Sequence, residues 1–404
     1  MLVRRVRQKL VSAPIPDIKA EIRRQLDALD VVVPQGDVAI TAGSRGISNI
    51  PVIIKEVGDW LRDRGASPFI APCMGSHNGA TAEGQREMIE SLGITESATD
   101  MPIRSSMDVV KVGSVATGDV WMDRHCAEAA GVLVVNRIKL HTCFSGPIQS
   151  GLTKMMVIGT GKIQSAETFH RALPAARKEM LVQMAECLVA SGKILGGLAI
   201  FEDGFDQTAE FHAVRASEIL AREPQLLEHH RTYFPRLPFD DINVLVVDEI
   251  GKIYSGTGMD TNVIGFRGIN GFEDIPSPNV RAIAALNLSP KSHGNAIGVG
   301  LADYITRRLR DDIDEYKTYL NAYTTGDMRR MAIPCTLSDD TEIFEKMADR
   351  YGTTRWVIIP NTLHLETLYV SPDLAGELAS HPRCSVDDEP VTVRFANGRH
   401  QLAF

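Results

Sequence analysis

The sequence predicts an α/β protein of two domains, each a largely parallel sheet flanked by helices, with a cleft between them. Three observations predict it. Short β-branched runs alternate with stretches of helical period, the pattern of strand, loop, helix units wound onto a parallel sheet. The alternation restarts after Phe234-Pro-Arg-Leu-Pro238, where two prolines mark an exposed linker. A chain of 404 residues, at about 150 residues per domain, is long enough for two or three domains. The expected division is 1–235 for an N-terminal α/β domain and 240–404 for a C-terminal one that closes the cleft and ends in a hairpin.

Taken in order, Asp17 to Leu29 carries Ile18, Ile22, Leu26 and Leu29 three or four apart and reads as a helix packed on the first sheet. Asp37 to Thr41 is a short strand. The loop Gly43-Ser-Arg-Gly46 and a helix from Ile50 to Arg64 follow, with Ser48 or Asn49 as the cap and Pro51 in the first turn. Ala66 to Ala71, the loop Gly75-Ser-His-Asn-Gly79 and a helix from Thr81 to Leu92 repeat the scheme. Gly131 to Val135 is a buried strand by length and branching. Ala175 to Leu188 and Phe211 to Ala221 have helical spacing, and Gly192 to Glu202 between them reads as a strand. The second set has strands at Ile242 to Val247, Val280 to Leu286 and Trp356 to Ile359, and helices at Ala302 to Tyr319 and Asp339 to Tyr351. It closes on Val391 to Phe404, where Asn397-Gly398 is a hairpin turn. There is no internal repeat or low-complexity tract.

With 44% hydrophobic and 23% charged residues the chain is of ordinary globular composition. A net charge of -8 and a pI near 5.8 argue against nucleic acid as the partner, because phosphate contact needs a concentrated basic face. An anionic ligand must therefore meet a local cluster of donors. The six cysteines lack metal-ligand or disulfide-framework spacing, which fits a reducing cytoplasm. The basic N-terminus runs into Ser12-Ala-Pro-Ile-Pro16 instead of an apolar core, so no signal peptide is expected. No run approaches the roughly 18 apolar residues of a membrane span.

The chemistry concentrates between Asn136 and His170, which holds His141, a Ser145-Gly146-Pro147 to Ser150-Gly151 segment, Lys154, a Gly159-Thr-Gly161 turn and His170. Two imidazoles and an amine beside loops that tolerate close backbone approach suit a bound cofactor or metal. Any one of these histidines taken alone reads equally as a surface or capping residue. Ligands of wound parallel sheets bind outside the carboxyl ends of the strands, and Arg45, His77 and His141 each follow a predicted strand there. Arg45 beside a helix N-terminus suits a phosphate, with a surface ion pair as the plain alternative.

Ser44-Arg45 after one strand, Gly75-Ser-His77 after the next, His141 followed by Phe144-Ser-Gly146, then Lys154 and His170, in that order, resemble the nickel-dependent lactate racemase family. Its corresponding motifs are D-H-T-R, G-T-H-R and G-F-S-G-G-x-K with a further histidine downstream. The resemblance spans about residues 37 to 170 and rests on order and chemistry, not on long identity. It implies a nickel ion and the nickel-pincer nucleotide, pyridinium-3,5-bisthiocarboxylic acid mononucleotide. Lys154 would be the tethering lysine, His170, 16 residues on, the nickel ligand, and His77 and His141 the acid-base pair. Arg45, Ser44 and Gly75 would contact the cofactor. Ser76 and Asn78 depart from the Thr and Arg of G-T-H-R, which removes a positive charge and leaves the acid open. The segment between Phe144 and Lys154 is also longer than in the family, with Lys162 as the alternative tether.

The implied reaction is racemisation or epimerisation of a small-molecule 2-hydroxy acid. The C–H bond beside the hydroxyl is hardly acidic, so proton abstraction by histidine alone would face a very high barrier. Hydride transfer to a cofactor, with a histidine taking the hydroxyl proton, avoids the carbanion. In the C-terminal half the loop from Asp248 to Asp260 follows a strand; Lys252 is a candidate for the substrate carboxylate and Asp260 for orienting it, beside a plain reading as a Gly-rich turn. The loop has no Walker or dinucleotide spacing. His293, Asn295 and Asp303 and the pair His364 and Glu366 are weaker clusters, and His229-His230 reads as a solvated helix end. Two alternatives remain open: a metal-dependent hydrolase or lyase using the same histidines, and a binding protein for a metal or nucleotide without turnover. The expected setting is cytoplasmic, with neither membrane nor nucleic acid as partner.

Overall fold

The computed structural model describes the chain except Phe144, Leu173 and 270–273, and leaves out the side chains of His170, Pro174, Ala175, Asn321, Thr324 and Thr325. It divides into two compact units: Val11–Phe234, and Met1–Leu10 with Pro235–Phe404. The expected N-terminal domain of 1–235 is thus corrected at its start, because the first ten residues belong to the other unit. The reason lies in strand β1 (Leu2–Gln8), which pairs antiparallel with residues 367–370 on one side and 384–392 on the other. Its Val3 and Val6 are fully buried while the arginines between them are not, a spacing of three that the register shift between Arg4 and Val6 against residues 384–392 allows.

In Val11–Phe234, strands β2 (Gly36–Ala42), β3 (Ala66–Pro72), β4 (Val109–Val115), β5 (Gly118–Asp123), β6 (Gly131–Arg137), β7 (Ile194–Glu202) and β8 (Thr208–Arg215) form two sheets. The main one has the order β3-β2-β6-β7-β8, parallel except at the β7–β8 edge. Strands β4 and β5 make a separate hairpin. The helices Ile18–Asp27 and Ile50–Arg62 cover the main sheet, burying Ile22, Leu26, Ile53, Ile54 and Val57 against Val38, Ile40 and Leu133. Burying such side chains contributes roughly 1.5–3 kcal/mol each, which fixes the helices on the sheet. Thr81 caps the helix Ala82–Ser91 by accepting from the Gly84 N–H. The segment expected to be a helix from Phe211 to Ala221 is instead strand β8 followed by the helix Ile219–His230. Phe211 and Val214 are three apart, but the segment pairs antiparallel with β7 as an edge strand, and their neighbours are half-buried.

The other unit holds β9 (Asp241–Ile250), β10 (Asn279–Leu288), β11 (Tyr304–Thr306), β12 (Cys335–Leu337), β13 (Trp356–Ile359), β14 (Thr367–Val370) and β15 (Cys384–Thr392) in the order β12-β11-β10-β9-β13-β14-β1-β15. The half from β12 to β13 is parallel and the rest antiparallel. The single helix expected from Ala302 to Tyr319 is β11 and two helices, Arg307–Asp311 and Glu315–Thr325, capped by Thr306 and Asp314. The expected hairpin forms from β16 (Phe395–Ala396) and β17 (Arg399–His400), with Asn397 and Gly398 both at positive φ. Among the described residues no helix is long and apolar enough to cross a membrane.

Candidate active site

Strands β3, β2 and β6 are adjacent and parallel, so the loops after them leave the same edge of the sheet. After β2 comes Gly43-Ser44-Arg45; after β3 comes Cys73 to His77. The two loops are joined, because the Ser44 hydroxyl and His77 Nδ1 share a hydrogen bond. Gly75 sits at φ +61, and its carbonyl accepts from the Gln85 amide at 2.8 Å. Asn78, where the family carries Arg, takes a left-handed φ of 53 and donates to the Gly84 carbonyl at 2.5 Å. A short amide suits both tasks better than a guanidinium.

Lys162, the alternative tether, is fully buried beneath these loops. Its ammonium donates to the Pro72 carbonyl and, at 3.0 Å, to Gln85 Oε1, and lies 3.2 Å from Asp123 Oδ2. It braces the loop carrying His77 through Gln85, which leaves its amine committed to the scaffold.

From the end of β6 the chain makes a closed excursion. Lys139 N–H bonds the Ser150 carbonyl at 2.9 Å, and the Asn136 amide bonds the Gly151 carbonyl at 2.8 Å. Within it the buried Gln149 accepts the His141 N–H at 2.7 Å and donates to the Gly146 carbonyl at 3.0 Å. The residues by which this loop exceeds the family spacing are thus folded back on its neck. His141 Nδ1 accepts the Cys143 N–H at 2.9 Å, so the neutral ring carries its proton on Nε2.

The excursion delivers the chain into Leu152–Lys154, a single helical turn, and then a π-helical turn, Met155–Gly159. Such turns are rare and frequent at functional sites. This segment packs directly on the strand ends: a Cβ at Gly159 would lie 2.9 Å from the Cys73 carbonyl oxygen, and one at Gly43 would lie 3.1 Å from the Met155 methyl. Lys154 therefore stands beside the loops of Arg45 and Cys73 to His77. Burial depresses its amine to about 8, the Arg45 charge adds to this and Cys143 opposes it. Arg45 is lowered in turn by desolvation and by Arg137, with Cys143 opposing. Arg45, Cys143 and Lys154 are thus electrostatic neighbours, and Arg137 is held by the buried Glu202. Glu223, buried, accepts from the N–H and hydroxyl of Thr153, each at 2.8 Å, and so anchors the turn carrying Lys154; burial raises its carboxyl to about 7.

The remaining sequence-predicted residues lie as follows. His170 is in the helix Lys162–Arg171, and its side chain lies outside the described residues, as does Phe144. Lys252 and Asp260 belong to the second unit, on the loop after β9. Lys252 is half-buried, with its N–H on Ser292 Oγ at 3.0 Å. Asp260 caps the helix Thr261–Ile264, accepting from the Asn262 N–H at 2.9 Å and from its amide at 3.1 Å. Of His229-His230, expected to be solvated, His229 is exposed, but His230 is corrected: it is 3% exposed, against Phe201. Sequence reasoning passed over Cys143, Gln149 and Glu223. The first two lie inside the stretch it singled out, and nothing local to Glu223 announces its contact 70 residues away.

No protein-family model matches the sequence, and no curated protein does. Among solved structures, the lactate racemase apoprotein from Thermoanaerobacterium thermosaccharolyticum superposes with a TM-score of 0.53 at 11% identity, covering 89% of this chain and 93% of that one. A protein from Thermotoga maritima gives a TM-score of 0.48 at 13% identity, over 80% and 83%. The chain therefore has the lactate racemase fold, in a divergent form.

Proposed function

We propose that this protein is an isomerase that inverts the hydroxyl-bearing carbon of a small 2-hydroxy acid, using a nickel-pincer nucleotide held at the sheet edge described above. The observation that carries the proposal is Lys154: an amine brought down to about 8, on a π turn beside the loops of Ser44-Arg45 and His77, in the lactate racemase fold. An amine of lowered basicity offers a larger free-base fraction for acylation by a thioacid or carboxyl than an ordinary lysine does. Arg45 supplies the charge for a phosphate, Ser44 and the Gly75 loop the close backbone approach, and His170 the imidazole for nickel. The donor set fits the group. When bound, the cofactor supplies the acceptor for hydride.

The chain's own residues supply proton handling. His77 and His141 stand on the loops after β3 and β6, and each takes or returns the hydroxyl proton for one enantiomer. His77 shares Nδ1 with a hydroxyl, which can donate or accept, so its Nε2 can be base or acid as the serine rotates. His141 accepts the Cys143 N–H on Nδ1, so its neutral ring presents an Nε2 proton; to take the hydroxyl proton at Nε2 it must release Cys143 and carry its own proton on Nδ1. With Asn78 spent on the loop, the acid need not be lactate.

The test is intact-mass spectrometry of untagged protein from its native host. A nucleotide-sized adduct is expected on the unmodified chain and absent from a folded Lys154→Ala variant. An adduct that persists on that variant would overturn the assignment of Lys154.

A further inference from the structure

We propose that Glu210, His212 and His229 form a site for one divalent first-row transition metal ion of the zinc class, separate from the residues assigned to the nickel cofactor. Glu210 and His212 are two apart on β8, so their side chains share one face of this edge strand. The helix Ile219–His230 supplies His229 from its last turn, and Tyr233 follows one turn later. The ligand atoms of Glu210, His212 and His229 all lie within 4.8 Å of one another. His212 Nε2 is 2.7 Å from Glu210 Oε2, and His229 Nε2 is 3.3 Å from Glu210 Oε1.

The distances suit an ion. Around zinc, with bonds of about 2.0–2.1 Å, tetrahedral ligand atoms stand about 3.3 Å apart. The glutamate–histidine pairs, at 2.7 and 3.3 Å, already stand at or inside that spacing, and the two imidazoles need close by no more than about 1.5 Å, the difference between 4.8 Å and that spacing. His229 can make the movement, since its side chain is 48% exposed, whereas Glu210 and His212 are held at 24% and 23%. Two imidazoles and one carboxylate with a fourth position open to solvent are a normal donor set for zinc, cobalt or nickel.

The charge balance points the same way. Glu210 is bonded by His212, His229 and the Tyr233 hydroxyl, and among the described residues no lysine or arginine pairs with it. A dication would supply the cationic partner that no described lysine or arginine gives this half-buried carboxylate. The Tyr233 hydroxyl donates to Glu210 and orients the carboxylate from outside the ligand set. Phe201 forms the floor, its ring 4.8 Å from that of His212 and 5.5 Å from that of His229. The arrangement would clip the edge strand to the helix end just before Pro235, where the second unit resumes.

The experiment uses untagged full-length protein, stripped with a chelator and titrated with zinc chloride by calorimetry and with cobalt chloride by visible absorption. The expected result is an ion whose cobalt d–d bands show tetrahedral imidazole and carboxylate ligation, with a raised midpoint of thermal unfolding in zinc. Glu210→Gln, His212→Ala and His229→Ala should each lose it, and Tyr233→Phe should weaken it by about 10–100-fold, the usual effect of removing an orienting partner. His170→Ala should keep it, which separates the failure of this site from failure of the nickel proposal. Absence of the cobalt bands in the unmodified protein would overturn the site. So would equal zinc affinity in folded His212→Ala and His229→Ala variants.

Discussion

Lys154 offers a test that needs neither substrate nor cofactor. With its amine at about 8 instead of 10.5, about one molecule in eleven carries it unprotonated at pH 7, against about one in three thousand for an ordinary lysine. The ratio is about 300-fold. Competitive labelling with a trace amine-reactive anhydride, read peptide by peptide in the mass spectrometer across about pH 6 to 11, resolves the midpoint of each lysine. Lys154 should reach half of its maximal rate near pH 8 and the exposed lysines more than two units higher. The causes can be separated as well. Arg45→Gln removes a charge that lowers the amine and should raise the midpoint, whereas Cys143→Ser removes an influence that raises it and should lower the midpoint. A Lys154 midpoint at that of the exposed lysines would refute the reasoning, and with it the claim that this amine is prepared for acylation.

Other outcomes follow from the same geometry. His77→Ala and His141→Ala should each slow racemisation in both directions by roughly 100-fold or more, with opposite enantiomer preferences for a single hydride transfer followed by rapid mixing; near wild-type turnover in either would remove that histidine from the mechanism. Glu223, raised from 4.5 to about 7, favours its neutral form in the fold, so its contribution is fully present at acidic pH and is lost as pH rises through 7. At 1.36 kcal/mol per unit the loss approaches about 3 kcal/mol, and the stability of Glu223→Gln relative to the unmodified protein should rise by that order between about pH 5 and 8 in denaturant titrations. A flat difference would show that the carboxylate is not penalised. Lys162→Met should cost about 3–5 kcal/mol by stranding Asp123, and adding Asp123→Leu should recover much of it; an unchanged stability for the single variant would contradict the buried ion pair.

The strand ends of the N-terminal unit were legible because each of the runs at 37–41, 66–71 and 131–135 is followed by a polar, glycine-bearing loop. That local grammar alone puts Ser44, Arg45, His77 and His141 at one edge. What escaped reading depended on distant partners. The arginines of β1 look like a soluble terminus until β14 and β15 flank them. Strand β8 has a phenylalanine and a valine at helical spacing, and only pairing with β7 makes it a strand. Within the site, Lys154 was visible as a lysine in a glycine-rich stretch, but its lowered basicity comes from burial and from Arg45, more than a hundred residues earlier. Lys162 illustrates the converse. Its position made it eligible as a tether, and only the contacts with Pro72, Gln85 and Asp123 show it to be a brace. His230 could have been read from its own helix, since it lies three and four residues after the buried Leu227 and Leu226.

Strand β1 also sets a clock. It is made well before its neighbours, since it lies between β14 and β15, and Arg7 meets Asp387 across 380 residues. At a synthesis rate of about 5–20 residues per second, the ribosome needs roughly 20 to 80 s to deliver that neighbour. For most of that interval an arginine-rich strand waits with both edges unpaired, while Val11–Phe234 is completed before its partners arrive. Its charge guards it in the meantime, because strand edges studded with like charges resist pairing with a second copy. Trimming residues 2–8 should therefore free β15 to protease while Val11–Phe234 stays resistant, and uncleaved β15 in the trimmed chain would show that β1 is dispensable.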